Sequence, residues 1–368
     1  MDMTTVGIAD ELGPSKILWI RQSRVALEAF VVIDNVACGP AIGGIRMAAD
    51  VTVGEVARLA RAMTLKNAAA GLPHGGGKAG IVGEPSLPAA RKEQLIRTFA
   101  HAIRELTEYI PGPDMGMNEE CMAWIHDEIG RVVGLPRVLG GIPLDEIGAT
   151  GFGLAVAGEV AASFAGVNLN EARMAVQGFG AVGIHAARFL CQRGVRLVAA
   201  SDSRGAVFNA DGLSVEGLIA HKQGGHPLTD FSGGISMAGD ELVGVDCDIW
   251  IPAARPDVLN DKNVSRLKAR LVLQGANIPA TNEAETWMHT MGIVNVPDFI
   301  ANAGGVICAS VEYHGGTQIQ AMAVIEERIR ANTSEVLEIA RRDNCTPREA
   351  AVAMARRRVD EAMQYRKY

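Results

Sequence analysis

Two lysines and one carboxylate stand in segments otherwise built of glycine and apolar residues: Thr64-Leu65-Lys66-Asn67, Leu72-Pro73-His74-Gly75-Gly76-Gly77-Lys78 and Gly112-Pro113-Asp114. An ammonium in a poorly solvated pocket has its charged form disfavoured, so its pKa falls from about 10.4 toward the range where it can take and return a proton. A second cation beside it deepens that fall. The competing expectation for either lysine alone is a solvated loop or helix-end residue. His74, next to the glycine run, reads as a wall residue rather than an acid-base group.

A second constellation is Gly178-Phe179-Gly180-Ala181-Val182-Gly183, which follows the β-prone Arg173-Met174-Ala175-Val176-Gln177 and opens a helix whose Val182, Ala186, Phe189 and Leu190 can face a sheet. A following strand, Val195 to Ala200, leads to Asp202, the expected distance for an acid that accepts hydrogen bonds from an adenine ribose. Here glycines let backbone approach a pyrophosphate, and the helix N-terminus presents unpaired amides to it. These residues predict dinucleotide binding. Asp202 favours NAD, because a carboxylate repels a 2′-phosphate; Arg204, two residues on, leaves NADP open. Gly77-Lys78 is no nucleotide P-loop: Leu72 stands where the first glycine belongs, and Ala79 replaces the magnesium-binding hydroxyl.

The elements that must position these groups are legible in outline. Val25 to Ile33 is a β-prone run ending in the turn-rich Cys38 to Gly44. Thr52 and Glu55 have capping-box spacing before a helix with Val53, Val56, Leu59, Ala60 and Met63 in period; Lys66 rides its last turns and Gly71 closes it. Ser86-Leu87-Pro88 opens a second helix through Leu106. From about residue 144 the texture becomes alternating helix and buried strand, with strands at Asp248–Pro252, Leu271–Gln274 and Ile293–Val296, each ending in turn residues. Thr346-Pro347-Arg348-Glu349 begins the last helix with a capping box.

Composition narrows the class. Of 368 residues, 48% are hydrophobic and 21% charged, enough for two domains with substantial cores. A net charge of -7 and no lysine or arginine run interleaved with aromatics argue against a nucleic-acid surface; Arg356-Arg357-Arg358 is the one basic cluster. Six scattered cysteines without metal-ligand spacing predict no metal and a reducing, cytoplasmic setting. Met1 to Leu12 lacks a basic start and apolar run, so no secretory signal is expected. Ala149 to Val167, interrupted by Glu159, suits a buried helix rather than a membrane span.

Together these segments closely resemble the glutamate/leucine/phenylalanine/valine dehydrogenase family over nearly the whole chain. The carrying motifs are Gly39-Pro40-Ala41-Ile42-Gly43-Gly44-Ile45-Arg46, the two lysine segments, Gly112-Pro113-Asp114, Ala149-Thr150-Gly151-Phe152-Gly153, Gly275-Ala276-Asn277 and Asn302-Ala303-Gly304-Gly305. The resemblance implies an α/β chain in three parts: a substrate and assembly domain over residues 1–143, a doubly wound Rossmann-type dinucleotide domain over 144–320, and C-terminal helices over 321–368 packing back on the first. It implies a cleft that closes for reaction and a homo-oligomer. The implied activity is reversible oxidative deamination of an L-amino acid to a 2-oxo acid and ammonia.

Roles carry over by position. Lys66 would bind the substrate α-carboxylate, Lys78 with lowered pKa would activate water or the amine, and Asp114 would shuttle protons. Asn277 and Asn302 would hold the nicotinamide ribose or the amine side of the substrate. Thr150, Gly178, Phe179, Gly180, Ala181, Val182, Gly183, Asp202, Ser203, Arg204 and Ala253 would contact the cofactor. The substrate side chain would meet Ile42, Gly43, Gly44, Gly112, Val306 and Ala309.

In relatives that take glutamate, a lysine stands where this chain has Ile42 and a serine where it has Ala309. A glutamate carboxylate buried against Ile42, Val306 and Ala309 would lack partners, at a cost of several kcal/mol. An apolar side chain of the leucine, valine or phenylalanine kind is therefore expected. Glutamate dehydrogenase is the alternative, because the second half resembles those enzymes more and Ser310, one residue from Ala309, could restore a hydroxyl. A catalytically silent nucleotide-binding scaffold is a further one, opposed by both lysines and the aspartate.

Overall fold

The protein was analysed as a computed structural model that describes residues 9–366; most of the amino-terminal stretch expected to lack an export signal lies outside the described residues. The chain forms two compact units. The first comprises Met1–Pro143, Val306–Ala321 and Met354–Tyr368, the second Leu144–Gly305 and Met322–Ala353.

Unit 1 is built on five strands: β1 (Lys16–Gln22), β2 (Leu27–Asn35), β3 (Ala41–Ala48), β4 (Gly75–Val82) and β5 (Tyr109–Pro113), ordered β1-β2-β4-β3-β5. The helices α1 (Val53–Ala69), α2 (Ala89–Ala102) and α3 (Glu119–Ile129) intervene. β2 is apolar from Ala29 to Ile33 because both its faces are covered there. Ala29, Val31 and Ile33 join Leu95, Phe99 and Met122 of α2 and α3 in one core. Phe30 and Val32 join Val56, Ala57 and Ala60 of α1 in another, the period-two alternation of a strand between two layers.

One segment expected as a turn is a strand, and a glycine run given no element is another. Cys38 to Gly44 reads as a turn from its glycines, yet Ala41–Ala48 is β3, paired with β4 and β5. The glycines are there for close approach: a Cβ on Gly43 would lie 1.6 Å from the Gly77 carbonyl oxygen. The Gly75-Gly76-Gly77-Lys78 run is likewise the start of β4, and a Cβ on Gly76 would meet the Thr64 amide of α1 at 2.1 Å. Thr52 caps α1 by accepting from the Glu55 amide, but the Glu55 carboxylate turns to Arg46 instead of completing a capping box. Gly71, at φ +65°, follows the helix end as expected.

Unit 2 opens with α4 (Ala149–Ala165) and then alternates β6 (Arg173–Gln177), α5 (Ala181–Cys191), β7 (Arg196–Asp202), β8 (Gly205–Phe208), α6 (Val215–Gln223), β9 (Ile235–Met237), β10 (Ile249–Pro252), β11 (Leu271–Leu273), α7 (Asn282–Thr290), β12 (Val294–Val296) and α8 (Asp298–Ala301). The sheet order is β12-β11-β10-β6-β7-β8-β9. Strands from β12 to β7 run parallel, the doubly wound pattern, and β8 and β9 add an antiparallel edge absent from the sequence reading. The chain ends in α9 (Gly304–Tyr313), α10 (Gln318–Asp343) and α11 (Pro347–Tyr365). Thr346 and Glu349 make the reciprocal capping box predicted for α11. Among the described residues, no helix is long and apolar enough to cross a membrane.

Candidate active site

Strand register gathers the unit 1 residues. Ile42 pairs with Gly76 and Ile110, Gly44 with Gly112, and Arg46 with Gly80. Because side chains alternate across a sheet, Ile42, Gly44, Arg46, Lys78, Ile110 and Gly112 share one face. It is the face α1 covers, since Cβ atoms on Gly76 and Gly80 would meet Thr64 and Val56 of that helix. Lys66, in the last turns of α1, is half-buried. Gly43 belongs to the opposite face.

On this face Lys78, 7% exposed, donates to Asp114 at the end of β5, Nζ to Oδ2 2.9 Å. The same oxygen accepts from Arg46 Nε at 3.1 Å, and Arg46 in turn pairs with Glu55. Gly44 makes this possible. A Cβ there would lie 2.8 Å from the Asp114 Cβ and 2.7 Å from the Pro113 carbonyl oxygen. Burial raises the Asp114 pKa, but Lys78 and Arg46 outweigh it and hold the carboxyl below its ordinary range. The cation sharing the Lys78 carboxylate is Arg46, which the sequence reading quoted in a motif without assigning a role.

An apolar wall adjoins this ion cluster. Ile42, Ile110 and Val133 are buried together, with Met63, Ala309 and Tyr313 packed against them. The two positions that speak to substrate charge, Ile42 and Ala309, thus belong to one cluster. Gly112 abuts it, since a Cβ there would lie 2.9 Å from Val133 Cγ2. Val306 lies half-buried in the first turn of α9. Glu312, also on α9, accepts from the amides of Gly134, Leu135 and Ile142 at 2.7, 3.0 and 2.9 Å and so ties down the loop carrying Val133. Sequence spacing gave no signal for that clamp.

His74 is buried, with Nδ1 3.2 Å from the Pro40 carbonyl oxygen and Nε2 3.0 Å from Ser310 Oγ. Burial pushes its pKa down to about 4, only partly offset by the Pro40 carbonyl and reinforced by His314 nearby. The ring is neutral at ordinary pH. A carbonyl can only accept, so Nδ1 carries the proton and Nε2 receives the Ser310 hydroxyl.

Unit 2 holds a separate constellation at the carboxyl ends of β6 and β10, where strand order reverses. The three motif glycines do three different things. Gly178 turns at φ +94°, where a Cβ would strike Ala254 at 2.7 Å. Gly180 faces open space, with nothing within 4 Å of a Cβ built there. A Cβ on Gly183 would lie 2.1 Å from the Gly178 carbonyl oxygen, so helix and strand pack closely. Tight turn, open approach and close packing are what a pyrophosphate at the N-terminus of α5 requires. Ala181 and Val182 begin that helix, and Ala253 bonds the strand end through the Gln177 carbonyl at 2.7 Å.

Asp202 Oδ1 accepts from the Arg204 amide at 2.8 Å and Oδ2 from the Leu228 amide at 3.2 Å, fixing the carboxylate at the end of β7; Ser203 and Arg204 are exposed. Asn302 Nδ2 donates to Asn277 Oδ1 at 3.1 Å, so the two asparagines meet. Gly304 and Gly305 tuck against Ala149 and Thr150, a Cβ on Gly305 lying 3.3 Å from Thr150 Oγ1. Arg348 bonds Glu285, Gln274 and Asp298 behind this region, and Asp298 holds the Ile278 amide at 2.8 Å. That support came from four distant segments and had no local signature.

Two family models match the chain: Glutamate/Leucine/Phenylalanine/Valine dehydrogenase over residues 140–367, and the Glu/Leu/Phe/Val dehydrogenase dimerisation domain over 17–131. The glutamate dehydrogenase of Thermotoga maritima is 38% identical over 352 residues, covering 90% of this chain and 84% of its own length. The hetero-hexameric glutamate dehydrogenase of Thermus thermophilus, in its Leu bound form, superposes with TM-score 0.83 at 30% identity, over 96% of this chain and 90% of that one. L-tryptophan dehydrogenase of Nostoc punctiforme superposes with TM-score 0.76 at 25% identity, over 96% and 97%.

Proposed function

The chain belongs to the glutamate/leucine/phenylalanine/valine dehydrogenase family, and from that premise we propose that this amino acid dehydrogenase deaminates an L-amino acid with a hydrocarbon side chain, of the leucine, valine or phenylalanine class. The observation that carries the reading is the shared apolar cluster of Ile42, Ile110, Val133 and Ala309 beside the Lys78–Asp114 pair. A side-chain carboxylate placed there would lose its hydration without gaining a cation, whereas a branched hydrocarbon fills it at no such cost. Ser310, the hydroxyl next to Ala309 in sequence, is buried and committed to His74.

In this reading Lys66 binds the α-carboxylate, and Lys78 takes the proton that the α-amine or the attacking water gives up. Asp114 accepts it onward, its position fixed by Arg46. The fixed geometry of these groups on adjacent strands supplies orientation at no further entropic cost. When bound, the nicotinamide supplies the hydride acceptor. Gly178 to Gly183, Asp202, Ser203, Arg204, Ala253 and Thr150 would hold its dinucleotide, and Asn277 and Asn302 its nicotinamide end. Asp202 supports NAD, while exposed Arg204 leaves room for NADP. Unit 1, residues 1–143 with 306–321 and 354–368, would serve substrate binding and assembly into a homo-oligomer, and unit 2, residues 144–305 with 322–353, the dinucleotide.

Glutamate dehydrogenase is the second reading, favoured by the names of the sequence relatives. Turnover of glutamate, leucine, valine and phenylalanine with NAD and with NADP decides between them. A hydrophobic amino acid is expected to exceed glutamate in kcat/KM, and Ile42→Lys with Ala309→Ser to gain glutamate activity. Glutamate exceeding all three would reject the apolar reading; NAD binding without turnover of any amino acid would reject the enzyme.

A further inference from the structure

His74 joins three segments that frame the apolar wall. Its Nδ1–H donates to the carbonyl of Pro40, two residues before Ile42 enters the wall from β3. Its Nε2 receives the hydroxyl of Ser310, the residue after Ala309 on α9. His74 itself leads into β4, four residues before Lys78. Imidazole and hydroxyl are both buried, 1% and 5% exposed. The rings of Tyr313 and His314 lie 5.8 and 5.3 Å from the imidazole and leave it little room to turn.

Ser310 and Ala309 are neighbours on a helix, about 100° apart around its axis. A hydroxyl released from its acceptor would seek another partner, because a buried hydroxyl left unpaired loses its hydration without return. Its options are the main-chain carbonyl one helical turn earlier and a polar group on a side chain bound at Ala309. A neutral imidazole that consumes the hydroxyl proton removes both.

We propose that His74 is a specificity-positioning residue: by engaging Ser310 and Pro40 together, it keeps a hydroxyl out of the substrate side-chain pocket and so maintains discrimination against polar isosteres of hydrocarbon side chains. The proposal rests on the apolar-pocket reading above and adds a residue that does not touch substrate. Its role is selectivity, not turnover.

Leucine and asparagine share a branched heavy-atom skeleton, so the ratio of their kcat/KM values reads polarity without shape. Purified full-length protein is measured with NAD as wild type, His74→Phe, His74→Gln, Ser310→Ala and the double variant His74→Phe/Ser310→Ala. His74→Phe is expected to lower the leucine-to-asparagine ratio about tenfold, chiefly through the KM for asparagine and with leucine kcat little changed. Adding Ser310→Ala is expected to restore the ratio to within about threefold of wild type, since the hydroxyl is gone. His74→Gln, which keeps one donor and one acceptor, is expected to hold it.

An unchanged ratio in His74→Phe, or one the second substitution fails to restore, overturns the proposal. Should His74→Phe not fold, His74→Leu replaces it under the same expectations: a lowered ratio that Ser310→Ala restores supports the proposal, and an unchanged or unrestored ratio overturns it. A wild type that prefers glutamate to leucine refutes the apolar pocket instead, and that result is read before any variant.

Discussion

Gly44 and Gly180 look alike in sequence, each inside a glycine-rich motif, but they answer to different masters. At Gly44 in unit 1 an added methyl collides with the protein itself, 2.7 Å from Pro113 and 2.8 Å from Asp114. At Gly180 in unit 2 it meets nothing within 4 Å. One glycine is required by the fold that brings Asp114 to Lys78; the other leaves the helix N-terminus open without any demand from the fold. Where strands build a site from side chains, glycine clears a path for them. Where a loop builds it from backbone, glycine clears a path for the ligand.

The contrast is sharpest at the ion cluster. Lys78→Ala is expected to lower kcat by about 10³, the scale of a lost proton-transfer group, with steady-state rates as the measure. A drop below tenfold would remove Lys78 from the chemistry. Gly44→Ala comes next. Displacing Asp114 by an ångström should cost about 10² in kcat and lower Tm together, because the collision is internal; calorimetry and kinetics on one preparation check both. Gly180→Ala should do the converse, raising the KM for NAD about tenfold while Tm stays within a degree or so of wild type. Equal losses of Tm in the two glycine variants would erase the comparison.

Within unit 2, Asp202→Ser should raise the KM for NAD by about tenfold and that for NADP by less, since the carboxylate that repels a 2′-phosphate is gone. Cofactor titrations at fixed amino acid decide it. The smallest effect belongs to unit 1 and to pH. His74 has a folded pKa of about 4 against 6.5 in the unfolded chain. The native state therefore binds fewer protons there, and the stability this confers is fully present above pH 6.5 and lost as pH falls toward 4. Each unit of pH across that window should cost up to about 1.4 kcal/mol. Urea midpoints of wild type and His74→Phe between pH 7 and 4 should converge on acidification if this imidazole is responsible.

How much was legible in sequence follows the same division. The glycine motif could be read because Gly178, Gly180 and Gly183 fall within six consecutive residues beside a recognisable strand, and strand, turn and helix follow in the order expected. The helix starts at Thr52 and Thr346 were legible for the same local reason. β3 was misread as a turn because Gly43 and Gly44 carry turn propensity, while the Gly77 and Asp114 neighbours that demand them lie 34 and 70 residues away. The lysine motifs announced a cation near Lys78, but not that Arg46, 32 residues before it, also bonds the Asp114 carboxylate. The His74–Ser310 link and the Glu312 clamp join α9 to segments at least 170 residues earlier, and no local pattern announces such a pair. β8 and β9 were missed because a short antiparallel edge needs little hydrophobic periodicity.

Unit 1 draws its residues from three stretches, the last beginning at Met354, and this has a consequence for biosynthesis. Ala309, Ser310 and Glu312 leave the ribosome after the whole of β6 to β12, so the nascent amino-terminal sheet must wait with its apolar wall half covered while unit 2 is being made. Expressing residues 1–143 alone would yield a fragment whose apolar wall keeps Ile42, Ile110 and Val133 but lacks the cover of Ala309 and Tyr313. Transplanting a new preference into this scaffold would call for α9 to travel with the strands it covers.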